Sequence, residues 1–302
     1  MKINFTKMHG LGNDFILIDC RDRSRNFPTE AKEIGVISRK LCHRRFGIGA
    51  DQLLLLYSSE AADFKMRIFN SDGSEVEMCG NGIRCLARYI WDRNLSEKET
   101  LRIETLSGII IPEKAGEMVK VDMGEPVFDA GKIPVKIVES EKVKVKSSKT
   151  NPSSLPFTKG GQGGIIDYPL KIKDKVFKIT CVSMGNPHAV IFVGDLLRFP
   201  VSFYGPLVEN HPIFPKRTNV EFIEVVNPQE VKMRVWERGS GETMACGTGA
   251  SAVAVATNIK GFTERSVTVH LLEGALLVEW AEDNHVYMTG PALQIFEGVI
   301  EI

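Results

Sequence analysis

Two cysteines stand in the same short context. Cys79 opens Cys-Gly-Asn-Gly and Cys246 opens Cys-Gly-Thr-Gly. Each segment is followed by a run that favours helix, IRCLARYIWDRN after the first and ASAVAVATNIKG after the second. Glycines let backbone N–H groups approach a ligand closely. A helix start leaves its first N–H groups without intrahelical acceptors and carries roughly half a positive charge, which makes it an anion site. A thiol placed there has its thiolate stabilised. Two such units brought to one ligand would hold an anion between two helix ends, with a sulfur on either side. That arrangement suits inversion at a carbon next to a carboxylate. One sulfur, as thiolate, removes the α-proton, and the other, as thiol, returns a proton to the opposite face. The carboxylate must accept growing negative charge, and each N–H donor aimed at such charge is worth roughly 2.7–4 kcal/mol in enzymes.

The repetition extends well upstream of the cysteines. Residues 65–82 read KMRIFNSDGSEVEMCGNG and residues 232–249 read KMRVWERGSGETMACGTG. They align at one constant offset without a gap. Lys-Met-Arg falls on Lys-Met-Arg, Glu75 on Glu242, Cys79 on Cys246, Gly80 on Gly247 and Gly82 on Gly249. The same offset carries Gln52 onto Asn219, each just before an apolar run, LLLLY or VEFIEVV. A weaker echo links GNDFILI with GNPHAVIFV. The chain reads as two copies of one unit.

The unit has legible parts. KMRIF and KMRVW alternate in polarity and are β-rich, which predicts strands. NSDGSE and ERGSGE carry turn chemistry. The helix after Cys246 is small and apolar all round, which predicts burial. Short strands with turn signals follow each helix. Each half is therefore expected to be β structure around a buried helix. GEPVFDAGKIP marks a boundary near residue 125, and the last strand, ALQIFEGVIEI, follows the break Gly290-Pro291. The expected division is residues 1–124 with 291–302, and residues 125–290. Residues 139–165, rich in Lys, Ser, Gly and Pro, are expected to form a surface loop or mobile insert.

Composition excludes several functions. The 302 residues are 43% hydrophobic and 25% charged, with Lys plus Arg equal to Asp plus Glu. That balance gives no support to nucleic acid or an anionic membrane as partner. The N-terminus lacks a secretory pattern, and no apolar run is long enough to span a bilayer. A cytoplasmic chain with reduced thiols is expected. The six cysteines form no CxxC pair and there is no HExxH, so zinc-site spacing is absent. GLGNDF lacks the strand–GxGxxG–helix context of a dinucleotide site, and nothing calls for PLP or a metal. Cys85 reads as packing. Cys20, Cys42 and Cys181 lack the glycine signature and read as core or surface thiols. His188 fits a turn or core role as well as a functional one.

NSDGSEVEMCGNGIRC, SMGNPHAV, TNVEFI and WERGSGETMACGTGA closely resemble the signatures of the diaminopimelate epimerases. The likeness runs from MHGLGNDF to the C-terminal strand, with only the insert outside it. It implies an enzyme that interconverts LL- and meso-diaminopimelate without PLP, on the route to lysine and peptidoglycan, and that commonly forms homodimers. It implies an α+β fold of two pseudo-symmetric lobes, each a β-barrel-like sheet around a central helix, with the active site in the cleft between them. Cys79 and Cys246 then correspond to the acid/base thiols. The backbone of Gly80, Asn81, Gly247 and Thr248 corresponds to the cradle for the reacting carboxylate. Asn13 and Gln52 resemble substrate contacts, and Asn70, Asn186, Asn219 and Arg238 resemble the set that reads the distal end. Arg offers a fork to a carboxylate and amides offer both donors and acceptors. Glu237 and His188 resemble the pair around the reacting amino group and thiols. The repeat breaks where Asn70 answers to Glu237 and Ser71 to Arg238, as a substrate with one reacting and one recognised end requires.

Three other readings are set against this one. A proline-racemase-like enzyme shares the paired cysteines, but Arg238 and the asparagines favour a longer substrate with a second charged end. A redox protein would join Cys79 and Cys246 in a switchable disulfide. A metal-binding module would rest on the two cysteines and His188 alone.

Overall fold

Polar and apolar residues alternate through Phe64–Asn70 and Glu230–Glu237, and both segments are strands, each inner residue packed into a core. The computed structural model describes residues 2–22, 27–136 and 164–301. Most of the expected insert therefore lies outside the described residues. Ile165, at its end, is buried and its carbonyl accepts from the Cys181 N–H at 2.9 Å, so this residue is core, not loop.

The chain forms two units, the first made of Met1–Asp122, Glu273–Leu276 and Tyr287–Ile302, the second of Met123–Leu272 and Leu277–Val286. The first contains β1 (Lys2–Gly10), β2 (Asn13–Asp19), α1 (Ala31–Cys42), β3 (Gln52–Tyr57), β4 (Phe64–Asn70), β5 (Glu75–Val76), α2 (Gly80–Asp92), β6 (Ile103–Thr105), β7 (Gly108–Ile110), β8 (Pro112–Ala115) and β9 (Met118–Asp122). The second contains β10 (Tyr168–Ile172), β11 (Lys175–Ser183), β12 (Pro187–Phe192), α3 (Val201–Glu209), β13 (Asn219–Asn227), β14 (Glu230–Glu237), β15 (Gly241–Thr243), α4 (Gly247–Ile259) and β16 (Ser266–Leu271). The unit boundaries fall inside β17 (Gly274–Trp280) and β18 (Val286–Gly290), and β19 (Leu293–Glu301) belongs to the first unit.

The first unit's main sheet runs β19-β1-β2-β3-β4-β6-β7, with β5 on β4. The second runs β10-β11-β12-β13-β14-β16, with β15 on β14. Among the described residues neither ladder returns to its first strand, so the sheets are open and the expected barrel-like closure is absent. The C-terminal strand, whose partner the sequence leaves undecided, pairs antiparallel with β1, Lys2 opposite Glu301.

The duplication is realised strand by strand. β2 runs parallel to β3 with Phe15 opposite Gln52, and β12 runs parallel to β13 with His188 opposite Asn219. β4 continues parallel to β6, and β14 to β16. The short strands β5 and β15 return onto β4 and β14. Each return is braced by one ion pair. Arg67 Nε donates to Glu75 at 2.6 Å, and Arg234 Nε donates to Glu242 at 2.8 Å. The guanidinium groups also donate outward, Arg67 to the Thr29 carbonyl at 2.6 Å and Arg234 to the Phe199 carbonyl at 2.9 Å.

Helices α2 and α4 follow these returns, as expected. The apolar face of α2 buries Ile83, Leu86 and Ile90 completely. Helix α4 is buried on almost every side, because its Ala and Val side chains let strands approach all round. Its two buried hydroxyls are satisfied inside the helix, Ser251 on the Gly247 carbonyl at 3.0 Å and Thr257 on the Val253 carbonyl at 2.9 Å. Two further helices complete the units. Helix α1 sinks Ile34, Ser38 and Leu41 into the first core. Helix α3 lies on Trp236 at Gly205, where an added Cβ would fall 2.5 Å from the indole Cγ. No alanine fits without moving a packed ring. Gly205→Ala is therefore expected to cost about 1–3 kcal/mol, read as a lower urea midpoint with an unchanged slope.

Candidate active site

Cys79 and Cys246 are the N-cap residues of α2 and α4. Both take extended backbone, φ −142° and ψ 115° for Cys79 and φ −130° and ψ 110° for Cys246, and neither side chain caps its helix. The helical ladders begin at Ile83 N–H to the Cys79 carbonyl and Ala250 N–H to the Cys246 carbonyl, both 2.9 Å. The N–H groups of the three residues between lie ahead of the ladder, at the positive end of each helix dipole. The third residue is glycine both times for a steric reason. A Cβ on Gly82 would lie 3.1 Å from Leu54 Cδ2. One on Gly249 would lie 2.9 Å from Glu221 Oε1 and 3.3 Å from Cys246 Sγ.

In the first unit, Asn13 is oriented by a buried-to-surface charge network. Its Nδ2 donates to Asp51 at 2.9 Å, which turns its Oδ1 toward Asn81 Nδ2 at 3.1 Å and Cys79 Sγ at 3.9 Å. Asp51 is held by Arg44, and Arg44 and Lys7 both pair with Asp14, each 2.7 Å from its carboxylate. Burial pushes the Asp14 carboxyl up, but its bonds from Arg44 and Lys7 outweigh that and hold it at about 2. Gln52 Nε2 donates to Asn70 Oδ1 at 2.8 Å, and Asn70 Nδ2 donates to Ser74 at 2.9 Å. Gln52 Oε1 and Asn81 Oδ1 are buried acceptors with no protein partner. Arg84, fully buried on α2, donates to the Pro291 carbonyl at 3.3 Å.

In the second unit the chemistry is concentrated around Cys246. Burial first, then the negative charges of Glu237 and Glu221, push its thiol well above the ordinary value, while the Thr248 hydroxyl and the Gly249 N–H act in the opposite sense. Glu237 is itself pushed up by burial, partly relieved by hydrogen bonds from the Thr243 hydroxyl and Cys246. His188 is fully buried, with Nδ1 2.6 Å from Glu221 Oε1 and Nε2 2.9 Å from Asn186 Oδ1. Asn186 Nδ2 donates to Thr248 Oγ1 at 3.3 Å, and Thr248 Oγ1 lies 3.5 Å from Cys246 Sγ.

Two expected ligand contacts have other partners here. The Asn219 amide donates to the Pro187 carbonyl and accepts from the Arg238 N–H, both at 2.9 Å, so it ties β12, β13 and the end of β14 together. Arg238 is exposed and its guanidinium reaches the Lys216 carbonyl at 3.4 Å. Cys42, Cys85 and Cys181 are buried thiols pushed up by burial, Cys42 to about 11 and Cys85 to about 12. Sequence reasoning passed over Glu221 and Arg84. The one available signal was a charged residue inside an apolar run, Glu221 in NVEFI and Arg84 in GIRCLA.

The open sheet-and-helix units match a fold shared by several solved structures. A PhzF-family phenazine biosynthesis protein from Bacillus anthracis superposes with a TM-score of 0.65 at 18% identity over all of both chains. A hydroxyproline epimerase from Agrobacterium vitis superposes with a TM-score of 0.63 at 13% identity, over 99% of this chain and 92% of that one. At these identities the likeness defines the fold. The sequence goes further. The diaminopimelate epimerase family model matches residues 5–129 and 180–295. A diaminopimelate epimerase from Pelotomaculum thermopropionicum is 50% identical over 98% of both chains, and one from Methanococcus maripaludis is 48% identical over 99% of this chain and all of its own. The chain belongs to the diaminopimelate epimerase family, a family of isomerases. Among the described residues no helix is long and apolar enough to cross a membrane.

Two outcomes follow from these environments. The stability that Asp14 contributes is present above its ordinary value of 3.8 and is lost as pH falls toward about 2. Asp14→Asn is expected to lower stability by about 1 kcal/mol at pH 7, allowing for partial exposure. Chemical denaturation should show the gap to the parent narrowing below pH 4. At pH 8 iodoacetamide should label Cys246 at least about tenfold more slowly than an ordinary thiol, and Glu237→Gln should speed that labelling several-fold, by peptide mass spectrometry.

Proposed function

We propose that this chain interconverts LL- and meso-2,6-diaminopimelate by two-base proton transfer without PLP, metal or nucleotide. The observation that carries the reading is that Cys79 and Cys246 cap the two repeat-related helices in the same backbone conformation. Both sulfurs thereby stand beside unladdered N–H groups, where a carboxylate gains most.

In the forward direction Cys79, as thiolate, takes the α-proton and becomes a thiol. The electron pair left on the α-carbon spreads into the carboxylate, held by the N–H groups of Gly80, Asn81, Gly247 and Thr248. Cys246, as thiol, gives its proton to the opposite face and becomes the thiolate. Its raised affinity for a proton keeps Cys246 in the thiol form that this direction requires at the start. The two sulfurs have then exchanged protonation states, and exchange with solvent restores them. Glu237 and His188 act around the reacting amino group and the Cys246 thiol. Asn13 and Gln52 contact the substrate. Asn70, Asn186, Asn219 and Arg238 recognise its distal amino-acid end. The product feeds lysine and peptidoglycan precursors in the cytoplasm, and the working form is a homodimer, to be checked by sedimentation.

The test is proton NMR in D₂O with LL-diaminopimelate and the reduced protein. Loss of the α-proton signal with appearance of the meso isomer is expected. No exchange in folded, reduced protein rejects the reading. Cys79→Ala and Cys246→Ala should each lower kcat by at least about 10³-fold, and full turnover in either variant would sink the two-thiol mechanism.

A further inference from the structure

Glu221 is a carboxylate with no exposure, on β13. Its Oε1 lies 2.6 Å from His188 Nδ1 and its Oε2 has no hydrogen-bond partner. An ionised carboxylate accepts and does not donate, so His188 must place a proton on Nδ1. The other ring nitrogen faces a second acceptor, Asn186 Oδ1, at 2.9 Å. A neutral imidazole has one N–H and satisfies one of these contacts. A doubly protonated ring satisfies both, and it also neutralises a carboxylate that would otherwise be buried and uncompensated.

The orientation continues beyond the ring. With its Oδ1 taken by His188, Asn186 turns Nδ2 to Thr248 Oγ1 at 3.3 Å. Thr248 Oγ1, now an acceptor, has its own proton free for Cys246 Sγ at 3.5 Å. Gly249 keeps the two ends of this loop together. The space above its Cα is bounded by Glu221 Oε1 on one side and Cys246 Sγ on the other. The remaining titratable groups around Glu221 and Cys246 are Glu237 and Cys181.

We infer that Glu221 is a positioning residue that keeps His188 doubly protonated, so that a one-way chain of donors runs from His188 through Asn186 and Thr248 to the sulfur of Cys246. The chain gives nothing to a thiol that already holds its proton. It stabilises the thiolate left when Cys246 has given that proton away, in the moment when Glu237 and Glu221 most oppose the new charge. For turnover the inference rests on the proposed acid/base role of Cys246. For the state of His188 it does not.

The test is NMR of protein labelled with ¹⁵N in its histidine rings, at pH 7 and without substrate, with the His188 signals assigned by their loss in His188→Gln. Both ring nitrogens of His188 are expected to be protonated, with a far-downfield Nδ1–H from the short bond to Glu221. Glu221→Gln should leave one ring nitrogen unprotonated and lower kcat about tenfold, the loss of one charge-assisted bond, with KM within about twofold. Glu221→Asp should restore the doubly protonated signature in part. A His188 with one unprotonated nitrogen in the parent protein overturns the inference, and that measurement needs no variant to fold. A signature and kcat that survive Glu221→Gln overturn it as well. Because the NMR needs no turnover, failure to epimerise diaminopimelate would reject the proposed function and leave this result standing.

Discussion

One ion pair in each repeat, Arg67 with Glu75 and Arg234 with Glu242, holds the turn from which a cysteine-bearing helix departs. The pairs are mostly buried and brace the two-stranded return that aims the chain at the helix start. Each arginine also donates to backbone carbonyls of a neighbouring segment, so the return is tied to the body of its unit. The helices that follow forgo a side-chain cap, which is ordinarily worth about 1 kcal/mol. Cysteine at the N-cap puts a sulfur, in place of a capping oxygen, beside the first N–H groups of each helix.

On this shared frame the two units have diverged in charge. The strand position occupied by Phe15 in the first unit is occupied by His188 in the second, opposite Gln52 and Asn219 respectively. Amides surround Cys79, whereas Cys246 lies among Glu237, Glu221 and His188. The same backbone thus presents one thiol to amides and the buried Arg84, and the other to carboxylates. In the low-dielectric interior such surroundings act strongly on protonation, and those of Cys246 push its thiol up.

Much of this was legible in the sequence because it is local. Strand alternation, turn residues and glycines after each cysteine fix β4, β14, α2 and α4 without reference to the rest of the chain. Helices α1 and α3 were not anticipated. The first is nearly neutral in overall hydropathy, and the second is short and carries Pro206 inside it. The partner of β19 and the boundaries inside β17 and β18 depend on pairing between distant segments. The site shows the same limit. The cysteines announce themselves by spacing, but Glu221 is recognisable as part of the site only once β12 and β13 lie side by side. Asn219, by type a ligand contact, also bonds the backbone through both ends of its amide, which no local pattern reveals.

Arg84 has a consequence of its own. It is wholly enclosed on α2, with one guanidinium nitrogen unpartnered, and the groups that offset its burial are the thiols of Cys85 and Cys79. Position 251, its counterpart by the repeat offset, is the neutral Ser251, bonded within its own helix. One helix therefore encloses a cation while its twin faces carboxylates across the sheet. Transplanting α2 into the second unit would set an arginine where Ser251 is bonded within its own helix, and transplanting α4 into the first would remove the enclosed cation beside Cys79 and Cys85. The halves share an outline but no longer an electrostatic interior.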